Sequence, residues 1–211
     1  MNTRAVFFDL DGTLVDSMPA HIHAWRTVLA DLGIMLDDLY VQLHEGERAE
    51  DTIIRLTREN GYSFSPVEIS DLLDRKRALY RSRAPKGLIP EARRLVEDLR
   101  ESSVECHIVT GSVRSNMNGV LSPDELALFC HIITANDYSV GKPAPDPYLM
   151  ALERSGLPAS QCLVLENAPL GIQSAKAAGL TTIAITTTLP AEHLREADHV
   201  ITHYGDMKRF L

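Results

Sequence analysis

Short apolar runs with β-branched and aromatic residues, each followed by turn residues, occur at Ala5–Phe8, Cys106–Val109, Ile132–Ala135, Cys162–Leu165, Thr181–Ile185 and Val200–Thr202. Segments of helical period separate most of them, and this alternation predicts an α/β fold with a parallel sheet covered by helices. One interval breaks the pattern. Between about Met18 and Ala84 no strand-like run occurs, but Ile22, Trp25, Val28, Leu29 and Leu32 fall on one helical face. Gly33 and Gly61 mark helix ends, and Ser65-Pro66-Val67-Glu68 combines a capping box with proline at the first helical position. The expected organisation is an all-helical insert, residues 18–84, in a core made of residues 1–17 and 85–211.

Composition narrows the setting. Of the 211 residues 45% are hydrophobic, enough for a sizeable core. Against 21 Lys and Arg stand 29 Asp and Glu, a net charge of −8. No basic run suits a phosphate backbone, so no nucleic-acid partner is expected. No apolar stretch approaches the ~18 residues of a membrane span, and the opening MNTRAVFFDLDG turns acidic too early for a secretory leader. The expectation is a cytoplasmic protein with no membrane partner. Cys106, Cys130 and Cys162 lie far apart without CxxC spacing and are expected to be buried, reduced thiols.

Asp9-Leu10-Asp11-Gly12-Thr13 follows the first strand directly. Two carboxylates so spaced can both face the strand's carboxyl end if the chain bends, and Gly12 permits the bend. Ligands of open α/β sheets bind at that end. Acids this close repel, so one is protonated or a cation lies between them, and oxygen-only ligands favour Mg²⁺ over zinc. An acidic turn capping the next helix is the alternative. Val109-Thr110-Gly111-Ser112 follows the second strand and either offers hydroxyl and N–H groups to an anion or caps a helix. Gly141-Lys142-Pro143 puts a lysine in a loop stiffened by Pro143, Pro145 and Pro147; alone, Lys142 reads as a solvated surface residue. Glu166-Asn167 places oxygen ligands at the end of the strand Cys162–Leu165. At successive strand ends, the four segments together point to a Mg²⁺ and phosphate site.

The blocks DLDGTLVDS, VTGS, KPAPDPY and VLENAPLGIQSAKAAG, in this order, resemble the haloacid dehalogenase superfamily, specifically its β-phosphoglucomutase-like members and sugar phosphatases with a helical cap. The resemblance spans essentially the whole chain and implies a Rossmann-like parallel-sheet core with an inserted α-helical cap. It implies Asp9 as the nucleophile that takes the phosphoryl group as an aspartyl phosphate, and Asp11 as general acid/base. Thr110, Lys142 and the backbone N–H groups around Gly111 and Ser112 are implied as stabilisers of the phosphoryl oxygens. Mg²⁺ is implied on the Asp9 carboxylate, the Asp11 backbone carbonyl, Glu166 and Asn167. The commoner family pattern is Glu-Asp where this chain has Glu166-Asn167; an amide oxygen can coordinate, with one charge fewer. An acid at position 11 favours phosphate monoesters over the dehalogenase and phosphonoacetaldehyde hydrolase chemistries of the same fold.

By the same resemblance the insert closes over the site and sets specificity. His21 matches a histidine of β-phosphoglucomutase-like members and is expected to contact substrate or gate closure, against the alternative of a partly exposed helix histidine. Glu45 and Arg48, on either side of Gly46 in the loop, are candidate substrate contacts. Lys76 is a candidate clamp, weighed against a solvated basic face in Arg75-Lys76-Arg77. The clamp arginine of β-phosphoglucomutase aligns with Ala49. Its absence tilts the expectation from a sugar phosphomutase to a phosphatase of a small phosphorylated sugar or polyol, with a monomer or weak homodimer as the assembly. A non-catalytic phosphometabolite-binding protein is a further alternative, motivated by Asn167.

Overall fold

A computed structural model describes residues 3–117 and 119–211; positions 1 and 2 of the expected core segment 1–17, and position 118 of 85–211, lie outside the described residues. Six parallel strands, β1 (Ala5–Phe8), β2 (Glu105–Val109), β3 (His131–Ile133), β4 (Cys162–Glu166), β5 (Thr181–Ile185) and β6 (His199–Ile201), form one sheet in the order β3-β2-β1-β4-β5-β6. Each coincides with one of the six apolar runs to within two residues at its ends. The helices are α1 (Met18–Ala30), α2 (Asp38–Leu43), α3 (Ala49–Glu59), α4 (Pro66–Arg83), α5 (Pro90–Glu101), α6 (Arg114–Met117), α7 (Pro123–Leu126), α8 (Asp146–Ser155) and α9 (Pro169–Ala177).

Alternate strand residues face opposite sides of the sheet, and both sides are covered. Val6, Phe8, Cys106, Ile108, Leu163 and Leu165 pack with Ala92, Leu95, Val96 and Leu99 of α5. Ala5, Phe7, Cys162 and Val164 pack with Tyr148 and Ala151 of α8 and Ala175 of α9. Strands buried on both faces read as continuous apolar runs, which is why they stand out in the sequence. From β1 the sheet extends through β2 and β3 on one side and β4, β5 and β6 on the other. The carboxyl end of β1 is therefore a topological switch point, where connections to opposite faces leave a crevice. Asp9 is the first residue beyond it.

Helices α1 to α4 fill the interval Met18–Arg83 with no strand among the described residues. Trp25, Val28, Leu29, Ile53, Leu56, Ile69 and Leu73 give them an apolar core of their own. Ser65 starts α4 with a reciprocal capping box to Glu68. One expectation fails here: Cys130 is exposed, since it precedes the short edge strand β3, while Cys106 and Cys162 are buried. Burial pushes those two thiols up to about 12 and about 11. Among the described residues no helix is long and apolar enough to cross a membrane.

His107 of β2 is wholly buried between the Phe7 ring, met edge-on at 5.2 Å, and the stacked His131 ring at 5.3 Å. Burial pushes its pKa down to about 4 from 6.5, with Glu105 opposing and His131 reinforcing. The unfolded chain takes up this proton near the higher value and the folded one only near the lower. Stability is therefore complete above the unfolded value and falls as pH drops toward the folded one. His107→Phe should flatten that acid limb of the stability curve, measured by urea denaturation at about pH 4.5 and about pH 7. An unchanged slope would assign the acid sensitivity elsewhere.

Candidate active site

The chain turns as soon as it leaves β1. The N–H of Asp9 still bonds Leu165 of β4 (3.0 Å), but the N–H groups of Thr13, Leu14 and Val15 all return to the Leu10 carbonyl (3.3, 2.9 and 2.9 Å). Gly12 holds φ at +89°, open to glycine, and a side chain there would strike the Asn167 amide. This turn sets the Asp9 and Asp11 side chains close together at the switch point.

Asp9 sits in a dry pocket of charges. The ammonium of Lys142, only 2% exposed, donates to Asp9 Oδ1 (2.8 Å), Glu166 Oε1 (2.6 Å) and the Val109 carbonyl (3.2 Å). Tyr148 donates its hydroxyl to the same Glu166 oxygen (2.7 Å), and Glu166 Oε2 accepts the Asn167 N–H (3.1 Å). Glu45, 9% exposed, brings a third carboxylate from the insert: one oxygen each of Asp9, Glu45 and Glu166 lies within 4.8 Å of the others. Asp9 Oδ2 and Glu45 Oε2 are buried without a hydrogen-bond partner among the described residues. Burial raises the Asp9 carboxyl to about 8, against the pull of Lys142 and with Glu166 and Asp11 adding to the rise. Burial and the nearby Asp9 raise Glu45 well above the carboxylate range. Burial opposes the Lys142 charge too, yet Asp9 and Glu166 hold its pKa well above normal.

Asp11 meets the opposite environment. Its Oδ1 accepts from the Ser17 hydroxyl (2.6 Å) and lies 3.1 Å from His21 Nε2; its Oδ2 accepts from Ser112 (2.8 Å) and Thr110 (3.3 Å). Burial works against the charge, but His21 and the hydroxyl donors outweigh it and hold the carboxyl well below its usual range. Lys76 Nζ stands 3.0 Å from His21 Nδ1 and 4.8 Å above the Trp25 ring, while His21 stacks on Tyr80. A lysine donor at Nδ1 assigns the imidazole proton to Nε2, facing Asp11. Burial pushes Lys76 down to about 8, and burial with the Lys76 charge pushes His21 below its usual value.

Most sequence candidates therefore converge, with differences in detail. Lys142 and Lys76 are buried, 2% and 4% exposed, and not on solvated surface. Glu45 stands with Asp9 and Glu166. Gly111 is pressed against the Gly46 carbonyl, which occupies the place of a side chain. The Arg48 guanidinium, at the cavity rim, donates to the Ser139 carbonyl and lies 3.6 Å from Glu50, so it ties the insert loop to the core. Asn167 departs most from expectation. Its Oδ1 accepts from the Thr13 hydroxyl (2.9 Å), while its amide nitrogen donates to the Asp11 carbonyl (3.3 Å) and to Thr188 (2.9 Å). The amide oxygen and the carbonyl expected to hold a cation are thus engaged, the first with Thr13 and the second with Asn167 itself. Tyr148, Ser17 and Thr13 were given no role by sequence reasoning; the only signal for Tyr148 is its place in the KPAPDPY block beside Lys142.

Between insert and core a cavity of about 280 Å³ opens beside Asp11, walled by His21, Trp25, Tyr40, His44, Lys76 and Asn116. It falls just short of the ~300–1,000 Å³ typical of ligand pockets, a size for a small metabolite. The donor set by Asp9 fits a hard divalent cation: carboxylate oxygens only, two of them buried and unpartnered, with negative charge in excess.

The family model for haloacid dehalogenase-like hydrolases matches residues 3–179, and the chain belongs to that family. It is 32% identical over 209 residues to validoxylamine A 7'-phosphate phosphatase of Streptomyces hygroscopicus subsp. limoneus, covering 97% of this chain and 96% of that protein. It is 31% identical over 209 residues to hexitol phosphatase A of Escherichia coli (strain K12), covering 95% and 91%. The crystal structure of β-phosphoglucomutase from Clostridium difficile shares the fold, with a TM-score of 0.85 and 22% identity over 97% of this chain and 93% of that one.

Gly171 in the first turn of α9 is where this site tolerates least change, because a Cβ there would overlap the Glu166 carboxylate. Gly171→Ala should push Glu166 off Lys142 and Tyr148 and lower hydrolytic turnover about a hundredfold. Gly205→Ala, with open space around it, should leave turnover unchanged. Steady-state kinetics of both variants decide; equal turnover would show that the position of Glu166 is immaterial.

Proposed function

We propose that the protein is a Mg²⁺-dependent phosphatase of small phosphomonoesters, of the sugar or polyol class, working through an aspartyl phosphate on Asp9. One observation carries this reading: two neighbouring aspartates beyond β1 have different partners, Asp9 with one oxygen on Lys142 and the other unpartnered among the described residues, Asp11 among hydroxyl and imidazole groups. The two relatives named as phosphatases support the substrate class. In this reading residues 18–84 form a cap over a core of 1–17 and 85–211.

Asp9 and Glu166 would hold the Mg²⁺, which would supply neutralising charge for phosphoryl oxygens. The chain's own residues do the rest. One oxygen of the Asp9 carboxylate attacks phosphorus, the ester P–O bond breaks, and the leaving oxygen takes a proton from Asp11. Asp11 then takes a proton from water as the water oxygen attacks phosphorus, and the Asp9 carboxylate is released. The contacts of Asp11 favour the ionised form needed in this second half; for the first half Asp11 takes its proton from His21 Nε2 as Lys76 passes one to His21 Nδ1. Lys142 steadies Asp9, and Thr110 with the N–H groups near Gly111 and Ser112 stabilises the phosphoryl oxygens. A mutase must grip a second phosphate; Ala49 offers no cation, and Arg48 is committed to Ser139 and Glu50.

The test is chromatographic product analysis of a panel of sugar and polyol phosphates that includes β-glucose 1-phosphate, with Mg²⁺ and a trace of bisphosphate. Free phosphate should appear from several substrates and vanish in Asp9→Asn. Glucose 6-phosphate accumulating with little free phosphate would overturn the reading in favour of a phosphomutase, and binding without turnover would make the protein a non-catalytic binder.

A further inference from the structure

We infer that Glu45 is a cation ligand carried by the insert, so that divalent metal binding and closure of the insert onto the core are one coupled event. The inference rests on the Mg²⁺ reading above. It starts from the two buried oxygens left unpartnered in the acidic cluster: Asp9 Oδ2 comes from the core and Glu45 Oε2 from the insert loop.

Lys142 cannot satisfy Glu45. An ammonium has three protons, and those of Lys142 are directed at Asp9, Glu166 and the Val109 carbonyl. The loop that carries Glu45 is seated on the core: Gly46 lies flush against the Lys142 side chain and Gly111, and Arg48 bonds the Ser139 carbonyl. Asn167 at the end of β4 adds no charge, and its amide is spent on Thr13, Asp11 and Thr188. The second unpartnered carboxylate oxygen beside Asp9 thus belongs to the cap. An ionised Glu45 would repel the Asp9 and Glu166 carboxylates, a cost that works against the seated loop. A divalent cation reverses the sign of that interaction and turns Glu45 into the contact that holds the loop down. The competing account is a proton shared between Glu45 and Asp9, which needs no metal.

Two measurements on the whole protein separate them: Mg²⁺ affinity by titration calorimetry, and the radius of gyration by small-angle X-ray scattering with and without Mg²⁺. Wild type should bind Mg²⁺ and become more compact. Glu45→Gln should bind about tenfold more weakly, the scale of loss for a disturbed metal shell, and should stay expanded at saturating Mg²⁺. Asn167→Asp, added to that variant, should return affinity from the core side without returning compaction. Should Glu45→Gln fail to fold, Glu45→Asp, which withdraws the charge by one methylene, reads the same two quantities. Wild-type affinity and compaction in the Glu45 variants would overturn the inference and leave the Mg²⁺ reading standing. No Mg²⁺ binding by wild type would overturn both.

Discussion

A single buried ammonium fixes the geometry on which the rest of the molecule depends. Phe8 of β1 pairs with Ile108 of β2 on one side and Leu165 of β4 on the other. The residues one step further on, Asp9, Val109 and Glu166, therefore end three adjacent strands in register, and they are the three acceptors of Lys142. Neighbouring parallel strands lie ~4.8 Å apart, a spacing that one ammonium spans with its three protons. Burying these charges is costly, and removing one partner of such a set costs about 3–5 kcal/mol because the others are left uncompensated. The apolar sheet beneath has the complementary task of keeping the strand ends from shifting against one another.

Asp11, two residues after Asp9, has a different set of partners. His21 of the insert and Ser17, Thr110 and Ser112 of the core meet on its carboxylate. Two aspartates of equal intrinsic acidity thereby stand in different surroundings, one against an ammonium and further carboxylates, the other among hydroxyl and imidazole groups. One of the four partners of Asp11, His21, lies in the interval Met18–Arg83, so the surroundings of Asp11 depend on where that interval sits.

What could be read from the sequence follows from how local each cause is. The strands were legible because burial on both faces leaves no polar alternation, and the start of α4 because Ser65, Pro66 and Glu68 carry their signal within four residues. The strand-end segments holding Asp9, Asp11, Thr110, Lys142 and Glu166 were legible as chemistry next to turns. Lys76 was ambiguous because three successive basic residues hide which one faces inward; helical rotation buries the middle one while Arg75 and Arg77 pair with Asp31 and Asp74. Asn167 and Glu45 were not legible in detail. The first is oriented by Thr13, 154 residues away, and by Thr188. The second acquires its surroundings only when the insert folds back on β1 and β4. Cys130 misled because the apolar run after it belongs to an edge strand of three residues.

The cavity beside Asp11 is walled by both the insert and the core. Asp9, Lys142, Glu166 and Thr110 can engage a phosphate and a cation, groups common to every phosphomonoester, and they offer nothing that distinguishes one alcohol from another. The walls that can do so are Trp25, Tyr40, His44 and Lys76 of the insert and Asn116 and Asn136 of the core. The relatives fit this division, since two proteins of similar length and nearly equal identity to this chain are named for different phosphate esters. A shared fold therefore fixes the phosphate end of the reaction and leaves the other end open. In this chain the open end is amphipathic: Trp25 and Tyr40 supply aromatic surface, and His44, Asn116 and Asn136 supply polar groups.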